Sequence, residues 1–168
     1  RLADLNISHL PGFLTEYSGK RLIPTRLDVR DREAVLAVMR GSAATMSAIP
    51  YYFNLDLATL AVEAKTNFCD LGGNTEIVLK QKELDAKARA ANVTVVPDCG
   101  LAPGMVNILS QYGIEQLDVV TSVKIYVGGL PQHPEPPLGY QIVYSLEGVR
   151  EYYTTLSRVL RTGTRTPV

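Results

Sequence analysis

The chain has 168 residues, of which 46% are hydrophobic and 20% are charged. These proportions are typical of a globular protein and exclude a disordered or membrane-spanning chain. Because 17 basic and 17 acidic side chains cancel, the overall field attracts neither nucleic acid nor an anionic membrane. We therefore expect a small molecule or another protein chain as the partner.

Cysteine usage and the lack of targeting segments bear on the compartment. Cys69 and Cys99 each lie at the end of a predicted strand and beside an aspartate. A reduced pair is favoured over a disulfide. The sequence shows no signal peptide and no run of about 18 apolar residues. Together these features predict a cytoplasmic protein.

The first residue is Arg1, not a starting methionine. We expect residues 1–10 to be the tail of a helix, residues 11–20 to form a loop, and residues 21–29 to form the first strand. On this interpretation the chain is an internal fragment that lacks its first strand and helix.

Helices and strands then alternate along the chain. Asp31 is a predicted N-cap, with Glu33 in the first turn, where a negative charge suits the helix dipole. The predicted helices are residues 32–40, 54–65, 75–91 and 103–111, and the predicted strands are residues 45–49, 67–71 and 93–96. Such units imply right-handed crossovers and a parallel sheet covered by helices on both faces. This is the doubly wound α/β class.

The carboxyl ends of parallel strands share one edge of a sheet, where ligands bind. The predicted ends lie near Asp28, Pro50, Asp70 and Asp98. Any one of these aspartates could instead cap a helix. The stretch VTVVPDCGLAPGMVNIL, residues 93–109, is the most informative, because strand, glycine-bearing turn and helix follow one another directly. Such a unit places side chains near a ligand and near the positive end of a helix.

The pattern changes after residue 117. Residues 119–127 alternate and are rich in β-branched side chains, which predicts a half-exposed strand. The Pro-rich residues 130–140 favour the wall or lid of a site. A further strand is predicted at residues 141–144, a stretch capped by Ser145 at residues 146–160, and a frayed end at residues 161–168. We therefore predict a first domain of residues 1–117 and the beginning of an α+β domain in residues 118–168.

Four segments are similar to one known family. They are AIPYY at 48–52, FCDLGGN at 68–74, PDCGLAPGMVN at 97–107 and GGLPQHPEPPLGY at 128–140. These segments resemble the saccharopine dehydrogenase family, and most closely its lysine 6-dehydrogenase branch.

The resemblance implies a Rossmann-like dinucleotide-binding domain followed by an α+β domain for substrate binding and dimerisation. It implies NAD as the cofactor, with NADP not excluded, an amino acid as the substrate, and a homo-oligomer. In the lysine 6-dehydrogenase branch, the ε-amine of L-lysine is oxidised to the semialdehyde. The G-x-G-x-x-G turn that cradles the pyrophosphate in this family is absent from the sequence, so the choice between NAD and NADP is left open.

Hydride transfer from an amine-bearing carbon requires a neutral amine, so a base must take up a proton. The candidate catalytic residues are Asp70, Asp98 and Tyr51. The candidate cofactor-binding residues are Asp28, Val29, Ala48, Ile49, Pro50, Gly72, Gly73, Cys99 and Gly100. The candidate substrate-binding residues are Tyr52, Asn74, Gly104, Met105, Asn107, Gln132 and Tyr140. No Cys, His or carboxylate spacing predicts a metal site.

Several candidates have a second interpretation. Asp98 could hold a substrate ammonium as a counter-ion without moving a proton, and Asp28 could form a turn. Cys99 is either a thiol of lowered pKa at a helix N-terminus or a small packing residue. Asn74 and Asn107 either bind the ligand or cap their helices.

Three hypotheses for the whole protein compete. The first is an amino acid dehydrogenase of the saccharopine or lysine type, which the long PDCGLAPGMVN segment and the Pro-rich segment support. The second is a dinucleotide-binding sensor or regulatory module without turnover, which the missing glycine motif favours. The third is reductive coupling of a polyamine precursor, a carboxynorspermidine-type reaction on the same scaffold.

Overall fold

The computed structural model describes residues 1–8, 12–15, 17, 21–143 and 145–167. The chain divides into two compact units, Arg1–Thr121 and Ser122–Val168.

The first unit begins with a small parallel sheet. Strand β1 (Leu2–Asp4) and strand β2 (Pro24–Arg26) pair in parallel, and the four-residue helix α1 (Gly12–Thr15) lies between them in the chain. The predicted helix at residues 1–10 is therefore wrong, and so is the loop at residues 12–15. A strand of three residues is too short to show a period, so its pairing with β2 decides the structure. Residues 9–11, 16 and 18–20 of these predictions lie outside the described part.

The alternation of helices and strands that follows is confirmed. The elements are α2 (Arg32–Met39), β3 (Ala44–Ser47), α3 (Asn54–Ala64), β4 (Asn67–Asp70), α4 (Thr75–Lys82), α5 (Asp85–Ala91), β5 (Val95–Val96) and α6 (Met105–Glu115). Strands β3, β4 and β5 form a parallel sheet in that order. The predicted single sheet is divided, because β2 pairs with β1 and forms no hydrogen-bonded ladder with β3.

Local signals decide two helix boundaries. The carboxylate of Asp31 accepts a hydrogen bond of 3.1 Å from the Ala34 N–H, which confirms the predicted N-cap of α2. The single helix predicted at residues 75–91 is wrong, because it is broken into α4 and α5. At the break, Glu83 and Leu84 donate to the carbonyls three residues earlier, which tightens the turn. The Leu84 side chain lies in the core there.

The β3–β4–β5 sheet has two unlike faces. Thr45, Phe68 and Val95 are neighbours in register, and Phe68 and Val95 pack into the core formed with α2, α3 and Leu84. The opposite face carries Met46 in register with Cys69 and Val96. There Met46 is 66% exposed and Val96 is 46% exposed. The predicted cover on both faces is therefore not found: within the described residues, helices bury only one face.

Helix α6 follows β5 without joining the core. None of its residues is buried, and the apolar side chains Ile108 and Tyr112 are both exposed. Within the described part of the chain, no helix has the length and apolar character needed to cross a membrane.

The second unit contains helix α7 (Leu146–Thr154) and an antiparallel hairpin of β6 (Arg158–Arg161) and β7 (Thr164–Pro167). The strands predicted at residues 119–127 and 141–143 are wrong, because those residues have no strand partner within the described part of the chain. Tyr144 lies outside that part. Helix α7 ends six residues before the predicted limit, at Thr154 instead of residue 160. The expected frayed end is wrong for residues 161–167, where cross-strand hydrogen bonding orders the chain.

Candidate functional site

Three loops meet at the carboxyl edge of the β3–β4–β5 sheet. The Cys99 N–H donates a hydrogen bond of 2.7 Å to the carbonyl of Asp70, which joins the loop after β5 to the end of β4. Gly73, in the loop after β4, lies against Tyr51, the first residue of the 3-10 turn Tyr51–Phe53 that follows β3. The structure therefore brings together the predicted candidates Tyr51, Asp70, Gly72, Gly73, Asp98, Cys99 and Gly100.

Asp70 is fully buried at this edge, and both of its carboxylate oxygens are occupied. One oxygen accepts hydrogen bonds from the Gly72 N–H at 2.7 Å and the Asp98 N–H at 3.3 Å. The other accepts a hydrogen bond of 2.7 Å from the Gln81 side-chain amide. A carboxylate enclosed in this way is suited to holding loops in place and poorly suited to receiving a proton from a ligand.

Asp98 is the more accessible carboxyl of the pair. It is partly exposed and has a φ of +60°, in the left-handed region that few residues other than glycine adopt. Burial raises its pKa first, and the negative charge of Asp70 raises it further. A hydrogen bond from the Gly73 backbone opposes both effects. A carboxyl with a raised pKa that solvent can reach has the properties of a general base.

The pKa of the Cys99 thiol is raised, whereas one interpretation of the sequence expects it to be lowered. Partial burial raises its pKa, and Cys69, Asp70 and Asp98 raise it further because each opposes a second negative charge. The interpretation of Cys99 as a thiol of lowered pKa is therefore wrong. Burial and the like charges around it both disfavour the thiolate.

Other atoms of the protein lie very close to several glycines of these loops. A Cβ at Gly72, which has a φ of +78°, would overlap the carboxylate of Asp98. A Cβ at Gly104, which has a φ of +128°, would lie 2.7 Å from the Gly100 nitrogen. Gly100 itself fits closely against the carbonyl of Leu71. Contacts within the protein are thus sufficient to require glycine at these places.

Both candidate asparagines cap helices. The Asn74 Oδ1 accepts hydrogen bonds from the Glu76 and Ile77 backbones at the start of α4. The Asn107 Oδ1 accepts a hydrogen bond of 2.9 Å from the Gly104 N–H at the start of α6. Met105 is exposed in the first turn of that helix. Of the two interpretations of Asn74 and Asn107, the structure shows the capping one.

Residues 48–52, which follow β3, include both exposed side chains and one that packs against the core. Ile49 packs against the core, whereas Ala48 and Pro50 are exposed. The Tyr52 ring is half exposed and meets the Tyr51 ring edge-on, with the ring centroids 5.7 Å apart. A phenol is therefore available at the segment that follows β3.

The other candidates lie on other segments of the chain. The Asp28 carboxylate, two residues beyond β2, binds the Arg30 guanidinium through both oxygens. That bond lowers the pKa of Asp28 to about 2. Val29 packs against the core. Gln132 and Tyr140 belong to the second unit, where both are exposed.

One functional candidate was missed because residues 1–10 were assigned to a helix. Asp4 stands at the carboxyl end of β1, in register with Arg26 of β2. A depression of about 450 Å³ opens beside it, and its lining residues are Leu5, Asn6, Ile7, Ser8 and Arg26. The available signal is an acidic residue directly after a short apolar segment, which in dinucleotide-binding folds receives the ribose hydroxyls.

A second missed residue is Gln81, which is buried in α4. Its neighbours Lys80 and Lys82 make this part of the helix polar in the sequence, so no signal distinguishes Gln81 from a solvated residue. Among the described residues, no group of three or more His, Cys, Asp or Glu side chains is placed to hold a metal ion.

Comparisons with known proteins agree with this architecture. Residues 2–96 match the family model described as the saccharopine dehydrogenase NADP binding domain. Residues 100–168 match the model described as the saccharopine dehydrogenase C-terminal domain. The first match alone covers more than half of the chain.

Two relatives illustrate the similarity. Saccharopine dehydrogenase (NADP(+), L-glutamate-forming) of Saccharomyces cerevisiae is 31% identical over 145 residues, which cover 81% of this chain and 31% of the relative. The mitochondrial alpha-aminoadipic semialdehyde synthase of Mus musculus is 29% identical over 133 residues, which cover 75% of this chain and 14% of the relative. The chain thus spans a third or less of the length of these relatives.

A solved structure shows the same fold. The apo histidine-tagged saccharopine dehydrogenase (L-Glu forming) from Saccharomyces cerevisiae superposes with a TM-score of 0.59 at 22% identity, covering 93% of this chain and 35% of that chain. The fold is α/β with a Rossmann-like dinucleotide-binding domain. On the matches to its two domain models, the chain belongs to the saccharopine dehydrogenase family.

Proposed function

We propose that the protein is a nicotinamide-dinucleotide-dependent dehydrogenase that acts on the amine-bearing ε-carbon of a lysine-derived amino acid. Membership of the saccharopine dehydrogenase family supports this reaction class. The single observation behind the chemistry is Asp98, a partly exposed carboxyl whose pKa is raised at the edge where ligands bind.

In this proposal Asp98 is the general base. An ammonium has no free electron pair, so Asp98 first accepts a proton from the substrate nitrogen. A bound nicotinamide would supply the acceptor for the hydride. Loss of the hydride leaves an iminium ion on the substrate, and addition of water to it, with loss of a proton, releases the semialdehyde and the amine. Asp70 is assigned a positioning role because its oxygens are occupied, and Tyr51 and Tyr52 are assigned to contacts beside the reacting carbon.

Two substrates fit this chemistry. The resemblance seen in the sequence favours the ε-amine of L-lysine, whose oxidation releases ammonia. The names of the relatives favour saccharopine, from which an L-glutamate-forming enzyme releases glutamate. We expect the exposed residues Gln132 and Tyr140 of the second unit to contribute to this choice, and we propose a homo-oligomer as the assembly.

The test is turnover by the full gene product, followed by absorbance of the reduced nicotinamide. The protein is offered NAD or NADP with L-lysine, saccharopine and related amines, and the released amine is identified. Turnover that releases ammonia from lysine or glutamate from saccharopine supports the proposal and names the substrate. Dinucleotide binding without turnover of any amine contradicts it and favours a sensor or regulatory module.

For the cofactor we propose NAD, with Asp4 accepting hydrogen bonds from the hydroxyls of the adenine ribose. Its position at the end of β1, beside the depression of about 450 Å³, supports this assignment, because an acidic residue there repels a 2′-phosphate. The family model and the relatives' names refer instead to NADP. Arg26, in register with Asp4, is the cation that a 2′-phosphate would use.

Replacing Asp4 tests this assignment. Asp4→Ser should raise the ratio of kcat/KM with NADP to that with NAD by roughly 10- to 100-fold, because a charge repulsion is removed. The control is Asp85→Ser, which removes an exposed carboxylate paired with Arg89 on α5 and should leave the ratio unchanged. A parent protein that prefers NADP, and whose preference is unaltered by Asp4→Ser, would show that Arg26 or another group selects the cofactor.

A further inference from the structure

Gln81 is a buried amide in a position where an apolar residue would be expected. It is 2% exposed, on the side of α4 that faces the core. Its Nε2 donates to the Asp70 carboxylate at 2.7 Å and to the Asn54 carbonyl at 3.4 Å. Burying an amide costs free energy unless it is hydrogen bonded. Retaining Gln81 there therefore has a cost that its bond to Asp70 must offset.

Asp70 joins Gln81 to two loops. Its side chain receives the Gly72 N–H, its carbonyl receives the Cys99 N–H at 2.7 Å, and the Asp98 N–H lies 3.3 Å from the same carboxylate. Hydrogen bonds to Asp70 thus hold both the loop after β4 and the loop after β5. Charge-assisted hydrogen bonds of this kind are stronger than neutral ones.

The network also reaches β3. Asn54, whose carbonyl accepts from Gln81, is itself buried, and its Oδ1 accepts a hydrogen bond of 2.8 Å from the Ser47 hydroxyl. Ser47 is the last residue of β3 and is in register with Asp70 at the end of β4. A continuous buried polar chain therefore runs beneath the edge on which Asp98 stands.

We propose that Gln81 is a positioning residue: it holds the Asp70 carboxylate, which in turn fixes Asp98 between the loops after β4 and β5. This inference rests on the proposed function of Asp98 as the base. It adds Gln81, which no motif in the sequence indicates, to the residues that control the reaction.

The pH dependence of Asp98 depends on the charges that face it. The titratable groups around Asp98 among the described residues are Asp70, at the end of β4, and Cys99, next in the chain, with Cys69 beyond it; Tyr51 lies across Gly73. Loss of the Gln81 donor removes an N–H dipole that partly offsets the negative charge of Asp70. Asp98 then ionises less readily, because the charge that opposes its ionisation is less well compensated.

The test is Gln81→Met in the full gene product, a substitution that keeps the side chain's size and removes the donor. We expect kcat to fall roughly 10- to 100-fold through misplacement of the base, with the KM for the dinucleotide little changed. The acid limb of the kcat/KM profile should move to higher pH. The matched control is Thr66→Val, which removes a buried hydroxyl at the other end of β4. It should alter stability without moving the pH profile.

Two further measurements keep the result decisive. If Gln81→Met does not fold, Asp70→Asn replaces it, since Gln81 Oε1, which has no partner within the described residues, can accept from the introduced amide. This variant should keep turnover within about tenfold and move the acid limb to lower pH. A loss of more than about a thousandfold would make Asp70 itself the base and overturn the proposal.

Failure of the proposed function is recognised separately. If the parent protein turns over no amine, the titration of the Asp98 carboxyl is followed by carbon-13 NMR in the parent and in Gln81→Met. A shift of that titration to higher pH in the variant supports the positioning role of Gln81 even without turnover. An identical titration in both proteins, or an unmoved acid limb in an active variant, overturns it.

Discussion

At the scale of single residues, Asp98 combines three unfavourable features. It has a positive φ, it is partly removed from solvent, and it stands beside the buried charge of Asp70. Each feature costs stability, and such costs are concentrated at functional sites. Asp28 is a useful contrast, because Arg30 stabilises its charge on the surface and lowers its pKa to about 2. The two strand-end aspartates, alike in the sequence, therefore have opposite electrostatic environments.

This account predicts that Asp98→Asn stabilises the fold at neutral pH. The folded-state pKa of Asp98 is raised, so ionisation destabilises the folded state once the pH exceeds the unfolded value of about 3.9. The amide escapes that cost and can still accept from the Gly73 backbone. The melting temperature should rise by a few degrees at pH 7, and the gain should vanish below about pH 4. A variant less stable than the parent at pH 7 would mean that the negative charge of Asp98 stabilises the folded state.

At the scale of elements, the loops after β4 and β5 approach each other closely where Gly72 meets the Asp98 carboxylate. Gly72 and Gly41 have nearly the same φ, +78° and +75°, but their surroundings differ. A Cβ at Gly72 would meet Asp98, whereas nothing lies within 4 Å of one at Gly41. The pair separates the cost of backbone conformation from the cost of crowding the candidate base.

We predict that Gly41→Ala costs about 1 kcal/mol, the price of a left-handed conformation. Gly72→Ala should cost about 3 kcal/mol, because overlap with Asp98 is added, and it should also lower kcat. Urea unfolding of both variants measures the difference, and steady-state kinetics shows whether turnover follows. Equal costs for the two substitutions would show that the loop yields and that Gly72 does not constrain Asp98.

At the scale of the whole molecule, the sequence predicts the class of fold better than it predicts short strands that form only through pairing with distant residues. Helices with an apolar face and strands such as residues 67–70 contain their own periodic signal, and a side-chain cap such as Asp31 is a local hydrogen bond. These features were predicted correctly. The strand at Leu2–Asp4 was not, because three residues become a strand only through pairing with residues more than 20 positions away.

The candidate site shows the same division. Strand-end aspartates and glycine turns are visible in the sequence, and the structure does bring Asp70, Gly72 and Asp98 together. Which aspartate is enclosed and which is accessible depends on a long-range contact with Gln81, eleven residues from Asp70. The lowered pKa considered for Cys99 was wrong for a similar reason, since its burial and the approach of Cys69 and Asp70, which raise its pKa together with the adjacent Asp98, arise only in the fold.

The most direct test of the central claim is kcat for Asp98→Asn, measured with the dissociation constant for the dinucleotide in the same full gene product. If Asp98 is the base, kcat should fall roughly 10²- to 10⁴-fold, while the dissociation constant changes by less than about threefold and the protein stays folded. An unchanged kcat in the folded variant would contradict the assignment and return the role of base to Tyr51 or Asp70.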